Sequence, residues 1–219
     1  MIRKLLVVAA AAAMPVAAIA ATAAVSGAAG TPKVDATHYT VSCTGITATA
    51  KFKPALTNTA TAASNEATSI TGTGSGCTAT PTAGGTAVAV SGVKIKGTIN
   101  DASSTHTCAG LTQPTSETGS LSLKWTTSPK LTNGTSVVNP TTVQGGLGAD
   151  QHATFSLSFG PASSGPFQGT DSGTSSTTSA ETTATAGAIL TTCGAKGGLK
   201  SIGITTNTNP GAAVALHAG

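Results

Sequence analysis

From about residue 39 onward, apolar and polar residues alternate with a period of two, the pattern of strands that bury one face. Tyr39, Val41 and Cys43 share one parity; after Thr44-Gly45 the apolar set moves to Ile46, Ala48, Ala50 and Phe52. A switch of that kind predicts a β-bulge. A second switch falls at Ser91-Gly92, between Val88/Val90 and Val93/Ile95/Ile99. Leu121, Leu123 and Trp125 alternate with Ser122, Lys124 and Thr126, and Ala153, Phe155, Leu157 and Phe159 with Thr154, Ser156 and Ser158. Leu199, Ile202 and Ile204 continue the pattern less regularly, and PTAGG, Asn100-Asp101, SPK, Asn133-Gly134 and QGG punctuate it as turns. The expectation is an all-β domain over residues 37–206: a single antiparallel β-sandwich, Ig-like or jelly-roll-like, of seven to nine short strands. Residues 180–193, which gather Ala, Ile and Leu ahead of Gly194, predict one short helix. Residues 207–219 read as a C-terminal tail or a terminal edge strand.

The first twenty residues break the alternation. Arg3 and Lys4 precede the apolar run LLVVAAAAAMPVAAIA, and Ala18-Ile19-Ala20 supplies the small-x-small pattern of a signal-peptidase site. A signal peptide of residues 1–20 is expected, with weaker alternative cleavage sites as late as Ala29, then a flexible segment over 21–36. The predicted location is secreted, extracellular or at the cell surface, with membrane contact only through the signal peptide before cleavage.

Export changes the reading of Cys43, Cys77, Cys108 and Cys193. They form no C-x-x-C pair and no Cys/His cluster, so two disulfides are expected rather than a zinc or redox site. Three connectivities are open. Cys77 ends one strand and Cys108 follows the next, which favours Cys77–Cys108 with Cys43–Cys193; Cys43–Cys77 with Cys108–Cys193 is the runner-up. His106, two residues before Cys108, reads as a solvated loop histidine.

Loss of Arg3 and Lys4 lowers the formal charge from +4 to +2 and leaves a chain without arginine. The guanidinium fork is the usual device for phosphate, and the lysines are scattered, so nucleic-acid binding is not expected. TGTGSGC at 71–77 has neither the spacing nor the lysine of a phosphate loop and reads as a thin strand. No G-x-S-x-G elbow occurs. Nearly all of the seven acids fall in predicted loops or at strand ends, and none is singled out as a catalytic pair. Asp150-x-His152 is the one acid–histidine neighbour pair, and a metal or catalytic role is its lesser reading. Trp125, by its parity with Leu121 and Leu123, belongs in a core, with ligand contact as the lesser reading. No catalytic residue, cofactor or metal is assigned.

The Ala-rich leader, VSCTGITATAKFKPAL, the strand ending GSGC, THTCAGL ahead of GSLSLKW, and SFGP with GPFQGT resemble uncharacterised secreted proteins of actinobacteria. The resemblance implies an exported β-sandwich of unassigned role, with no active site to carry over. The expected function is a non-enzymatic structural or interaction module of the cell exterior or envelope. Its partners would be cell-wall polysaccharide or another envelope protein. The alternative is a carbohydrate-binding module or wall-associated hydrolase using Trp125.

Overall fold

The computed structural model describes residues 39–59, 66–81, 88–100, 106–115, 117–131, 134–159, 165, 176–206 and 214–216 of the 219-residue chain. The strands are β1 (Tyr39–Leu56), β2 (Ala67–Pro81), β3 (Ala89–Asn100), β4 (Pro114–Thr115), β5 (Thr118–Ser128) and β6 (Thr135–Val138). They continue as β7 (Pro140–Leu147), β8 (His152–Phe159), β9 (Ser176–Thr185), β10 (Leu199–Thr205) and β11 (Val214–Leu216). A 3-10 turn covers Ala109–Thr112, and α1 spans Ala186–Gly194.

The alternation does what it predicts in β1, β3 and β5. Ile46, Ala48, Ala50 and Phe52 of β1 are buried while Thr47, Lys51 and Lys53 are exposed; Val93, Ile95 and Ile99 of β3 and Leu121, Leu123 and Trp125 of β5 behave alike. All strand pairings between the named strands are antiparallel.

The sandwich expectation needs correction. The strands form one sheet in the order β4-β7-β8-β9-β10-β1-β2-β3-β5-β6, with β11 between β1 and β9, and it curls into a half-barrel. A sandwich needs a break between two sheets. Here the β10–β1 ladder, from Thr47↔Thr205 to Leu56↔Leu199, joins the two halves instead. Curling brings the ends of the sheet together: β6 runs into β7 through Asn139, and β4 runs into β5 within a few residues. Period-two alternation is the same whether a buried face meets a second sheet or its own far side, so it could not distinguish the two.

The two parity switches differ. At Ser91-Gly92 the β3–β5 register shifts, as a bulge requires. At Thr44-Gly45 the β1–β2 register runs unbroken from Cys43↔Cys77 to Gly45↔Ser75. Both strands turn together there, with Gly76 at φ +59 taking the left-handed conformation that glycine adopts without a Cβ penalty. On its other side β1 changes neighbour at this corner, from β11 (Cys43↔Val214) to β10 (Thr47↔Thr205). Part of the expected tail is therefore a strand inside the sheet, and Val214 is fully buried.

The helix expectation is half right. Residues 180–185 belong to β9, because the β-branched run Thr182-Thr183 and Thr185 favours extended chain, and only Ala186–Gly194 is helical. Thr185 Oγ1 caps the helix by accepting from Ala188 N, and Ile189 and Cys193, four residues apart, turn inward.

The favoured disulfide pairing is overturned. The bridges are Cys43–Cys77 and Cys108–Cys193. Cys43 and Cys77 face each other in register on β1 and β2. β3 starts its pairing with β2 only at Gly74↔Val93 and ends at Ala67↔Asn100, so the chain after β3 emerges at the far end of β2 from Cys77. Ten strand residues separate those ends, about 33 Å. At that far end Cys108 N donates to Thr57 O (3.1 Å), within reach of α1.

Candidate functional site

The inner face of the curled sheet carries many small residues. Across the strands, Ala50, Ile70, Gly97 and Leu121 share one row, and Ala48, Gly72, Ile95 and Leu123 the next. Gly97 is required by close approach: a Cβ there would stand 3.0 Å from the Leu121 Cα. Opposite, β7 and β9 present Gly145 and Ala180. Facing small residues cannot fill the space between them. The result is a cavity of about 130 Å³, its walls built largely from Ile70, Ile95, Leu121, Phe155, Leu157 and Ile204. The glycines of TGTGSGC are thus inner-face residues at Gly72 and Gly74; a Cβ on Gly74 would lie 2.7 Å from Val93 Cγ1.

One end of the cavity is polar. The row Phe52–Thr68–Ile99–Gly119 crosses the sheet there. One pleat further out, Glu66 keeps the parity of Thr68 and Ile70, and Glu117 that of Gly119 and Leu121. Both precede residues paired with Asn100 (Ala67 and Thr118), so they flank the end of β3 from either side. Their backbones are two strand spacings apart, about 9.5 Å. Glu117 lines the cavity and is 6% exposed; Glu66 is 7% exposed. Neither carboxylate oxygen of Glu66 has a hydrogen-bond partner among the described residues. An unpaired buried carboxylate is among the costliest groups a fold can hold.

His106 completes this end, and the sequence reading of it is corrected. It is 2% exposed, its Nε2 lies 2.7 Å from Pro54 O, and its ring meets Phe52 edge-on at 6.4 Å. The Cys108–Cys193 bridge and the parallel bridge Thr57↔Thr107 hold its segment against the sheet. Gly145 N donates to Gln113 O (3.3 Å), tying the same segment to β7.

The residues weighed from sequence lie elsewhere. Trp125 is 5% exposed, and its Nε1–H donates to Ser136 Oγ at 2.9 Å. It belongs to the core at the other end of β5 and does not line the cavity. Asp150 and His152 form a turn: Asp150 Oδ1 accepts from His152 N (3.2 Å), and the ring Nδ1–H donates to Thr182 O (2.6 Å). Lys51, Lys94, Lys96 and Lys124 stand on the outer face, with Lys94 directly opposite Lys124. Glu66, Glu117 and His106 were missed as a group. Their parity with inward residues was the one available signal for the two glutamates.

Among the described residues no group of three His, Cys, Asp or Glu side chains is placed to hold a metal ion, and no helix is long and apolar enough to cross a membrane. Two disulfides are compatible with an extracellular protein. No protein-family model, no curated protein and no solved structure matches this chain.

Proposed function

We propose that this chain is a non-enzymatic binding module of the cell exterior or envelope that holds a small, mainly apolar molecule inside its half-barrel. The observation that supports this reading is the cavity of about 130 Å³ in the middle of the sheet's inner face. An apolar cavity of about 150 Å³ stays free of water and accepts benzene, so this one suits a body of about four to six carbons. A thin, alanine-rich interior that keeps such a void, and relies on two disulfides, is better suited to accommodating a guest than to maximal stability.

The test is thermal unfolding and methyl NMR with benzene and methylcyclopentane. Binding is expected to raise Tm and to shift the methyl signals of Ile70, Leu121 and Leu157. At a hundred-fold excess over Kd the stabilisation is about 2.7 kcal/mol. An unchanged Tm with unchanged methyl shifts overturns the reading.

A further inference from the structure

Strand register gathers five lysines, distant in sequence, on the outer face of β1, β2, β3 and β5, away from the cavity. Three rows cross those strands: Thr47–Thr73–Lys94–Lys124, Thr49–Thr71–Lys96–Ser122 and Lys51–Ser69–Thr98–Ser120. Lys53 follows Lys51 on β1 with the same parity, so the ammonium groups run as a diagonal band, Lys53–Lys51–Lys96–Lys94–Lys124. Three strand spacings and six residues make the band about 25 Å long. We propose that it binds a linear anionic polymer of the cell exterior, a chain of acyclic polyols joined by phosphodiesters. This goes beyond the cavity reading and does not depend on it.

Charge complementarity carries the proposal. All five lysines are exposed, and none has an ion-pair partner among the described residues. The described acids stand elsewhere: Glu66, Glu117 and Glu181 are buried, and Asp150 lies in the turn between β7 and β8. Lys94 directly opposite Lys124 is a like-charged pair that costs the free protein stability. A polyanion laid between the two turns that repulsion into attraction. In the middle of the band the side chains are short. Ser69, Thr71, Lys96, Thr98, Ser120 and Ser122 line a shallow depression there, five hydroxyls around one ammonium. Hydroxyl and ammonium donors both suit phosphate oxygens, and lysine meets them as a point charge without the arginine fork. The same surface argues against other anionic partners. No aromatic ring stands on the three rows, so neither a nucleic-acid base nor a sugar ring has a stacking platform. The exposed large hydrophobics among the described residues, Leu147 and Leu190, are on β7 and α1, so this face offers nothing to insert into a bilayer.

The experiment titrates the disulfide-bonded chain with poly(glycerol phosphate), polygalacturonate, a single-stranded oligothymidylate and phosphatidylglycerol vesicles, by calorimetry at about 50 and 200 mM salt. Poly(glycerol phosphate) is expected to bind most tightly, its affinity falling about a hundredfold across that range for five contacts to a flexible chain. Lys94→Gln with Lys96→Gln should lose at least tenfold and cut the salt slope by about 1.4. Lys130→Gln with Lys196→Gln removes equal charge from the turns after β5 and α1, and should bind within twofold of wild type. Thr98→Val, at the centre of the depression, should weaken binding at least threefold with the salt slope unchanged. An unchanged affinity in Thr98→Val overturns the part assigned to the hydroxyls. No binding, or an equal loss in the two lysine pairs, overturns the proposal. Tighter binding of polygalacturonate, the oligothymidylate or the vesicles overturns the choice of polymer. Benzene reads the cavity separately, so failure here leaves the cavity reading standing.

Discussion

The indole Nε1–H of Trp125 donates to Ser136 Oγ at 2.9 Å, and both residues are buried where β5 and β6 run side by side. The pair explains how the one tryptophan of the chain can lie wholly in a core: its single polar atom is satisfied inside. Ser136→Ala leaves that N–H unpaired and is expected to lower stability by about 1–3 kcal/mol. Urea unfolding followed by tryptophan emission measures this. The wild-type emission should be blue-shifted, resistant to acrylamide, and indifferent to added cell-wall polysaccharide. A red-shifted emission that responds to the glycan would revive a stacking role for Trp125.

Filling the cavity should trade binding for stability. Ala180 is 4% exposed and lines the chamber from β9. Ala180→Val adds two carbons to unfilled space, and a gain of about 0.5–1.5 kcal/mol is expected after allowing for repacking. Hydrocarbon binding should weaken at least tenfold in the same variant. Chemical denaturation with parallel calorimetry reads both, and a variant that binds as wild type would show that the guest occupies other space.

The two bridges should differ in chemical resistance and in effect. Cys108 and Cys193 are each no more than 3% exposed whereas Cys77 is only partly buried, so mild reductant should open Cys43–Cys77 before Cys108–Cys193. Non-reducing peptide mapping should recover Cys43 joined to Cys77 and Cys108 joined to Cys193. Their sequence separations of 34 and 85 give upper stabilisations of about 4 and 4.5 kcal/mol by loop entropy. Removing the longer bridge as Cys108→Ser with Cys193→Ser should also loosen the His106 segment. Faster amide exchange around residues 106–113 than in the Cys43→Ser, Cys77→Ser variant is the expected signature.

Lys94 and Lys124 face each other across β3 and β5 on the exposed side of the sheet. Like charges directly opposite are unfavourable, and an opposite pair is favourable by about 0.2–1 kcal/mol. Lys124→Glu is expected to stabilise the protein by about 0.5–1 kcal/mol at low salt. The gain should shrink as salt is added. Thermal unfolding at two ionic strengths checks it, and a salt-independent loss of stability would contradict the register.

Strand content was legible because one-sided burial writes itself into parity, as Ile46-Ala48-Ala50-Phe52 and Leu121-Leu123-Trp125 show. The closure of the sheet was not, since inner-face residues look the same opposite a second sheet or opposite themselves. The bridge partners depended on which end of β2 each cysteine occupied, a matter of register that spacing along the chain does not record. His106 was misjudged because a loop position says little about depth when a disulfide pins the loop beneath the sheet. Glu66 and Glu117 could have been found by extending the strand parity one pleat beyond each strand's first residue. Acidic side chains at strand ends are usually taken for solvated ones, which concealed them.

The short strand Val214–Leu216 fills a slot between Val41–Cys43 and Thr177–Thr178. Its partner on β1 lies more than 170 residues earlier, so the last piece of the sheet to be made is also the neighbour of the first. A chain emerging N-terminus first can form the β1–β2–β3–β5 meander early and join its two halves through Leu199–Thr205, yet the slot beside Val41–Cys43 stays open until residue 214 appears. Pairings over such separations close slowly, because loop entropy must be overcome before any contact rewards it. During that interval the free edge at Val41–Cys43 is available to other strands. The fold therefore sets a time window, fixed by the position of three C-terminal residues, in which the nascent chain depends on protection from its own kind.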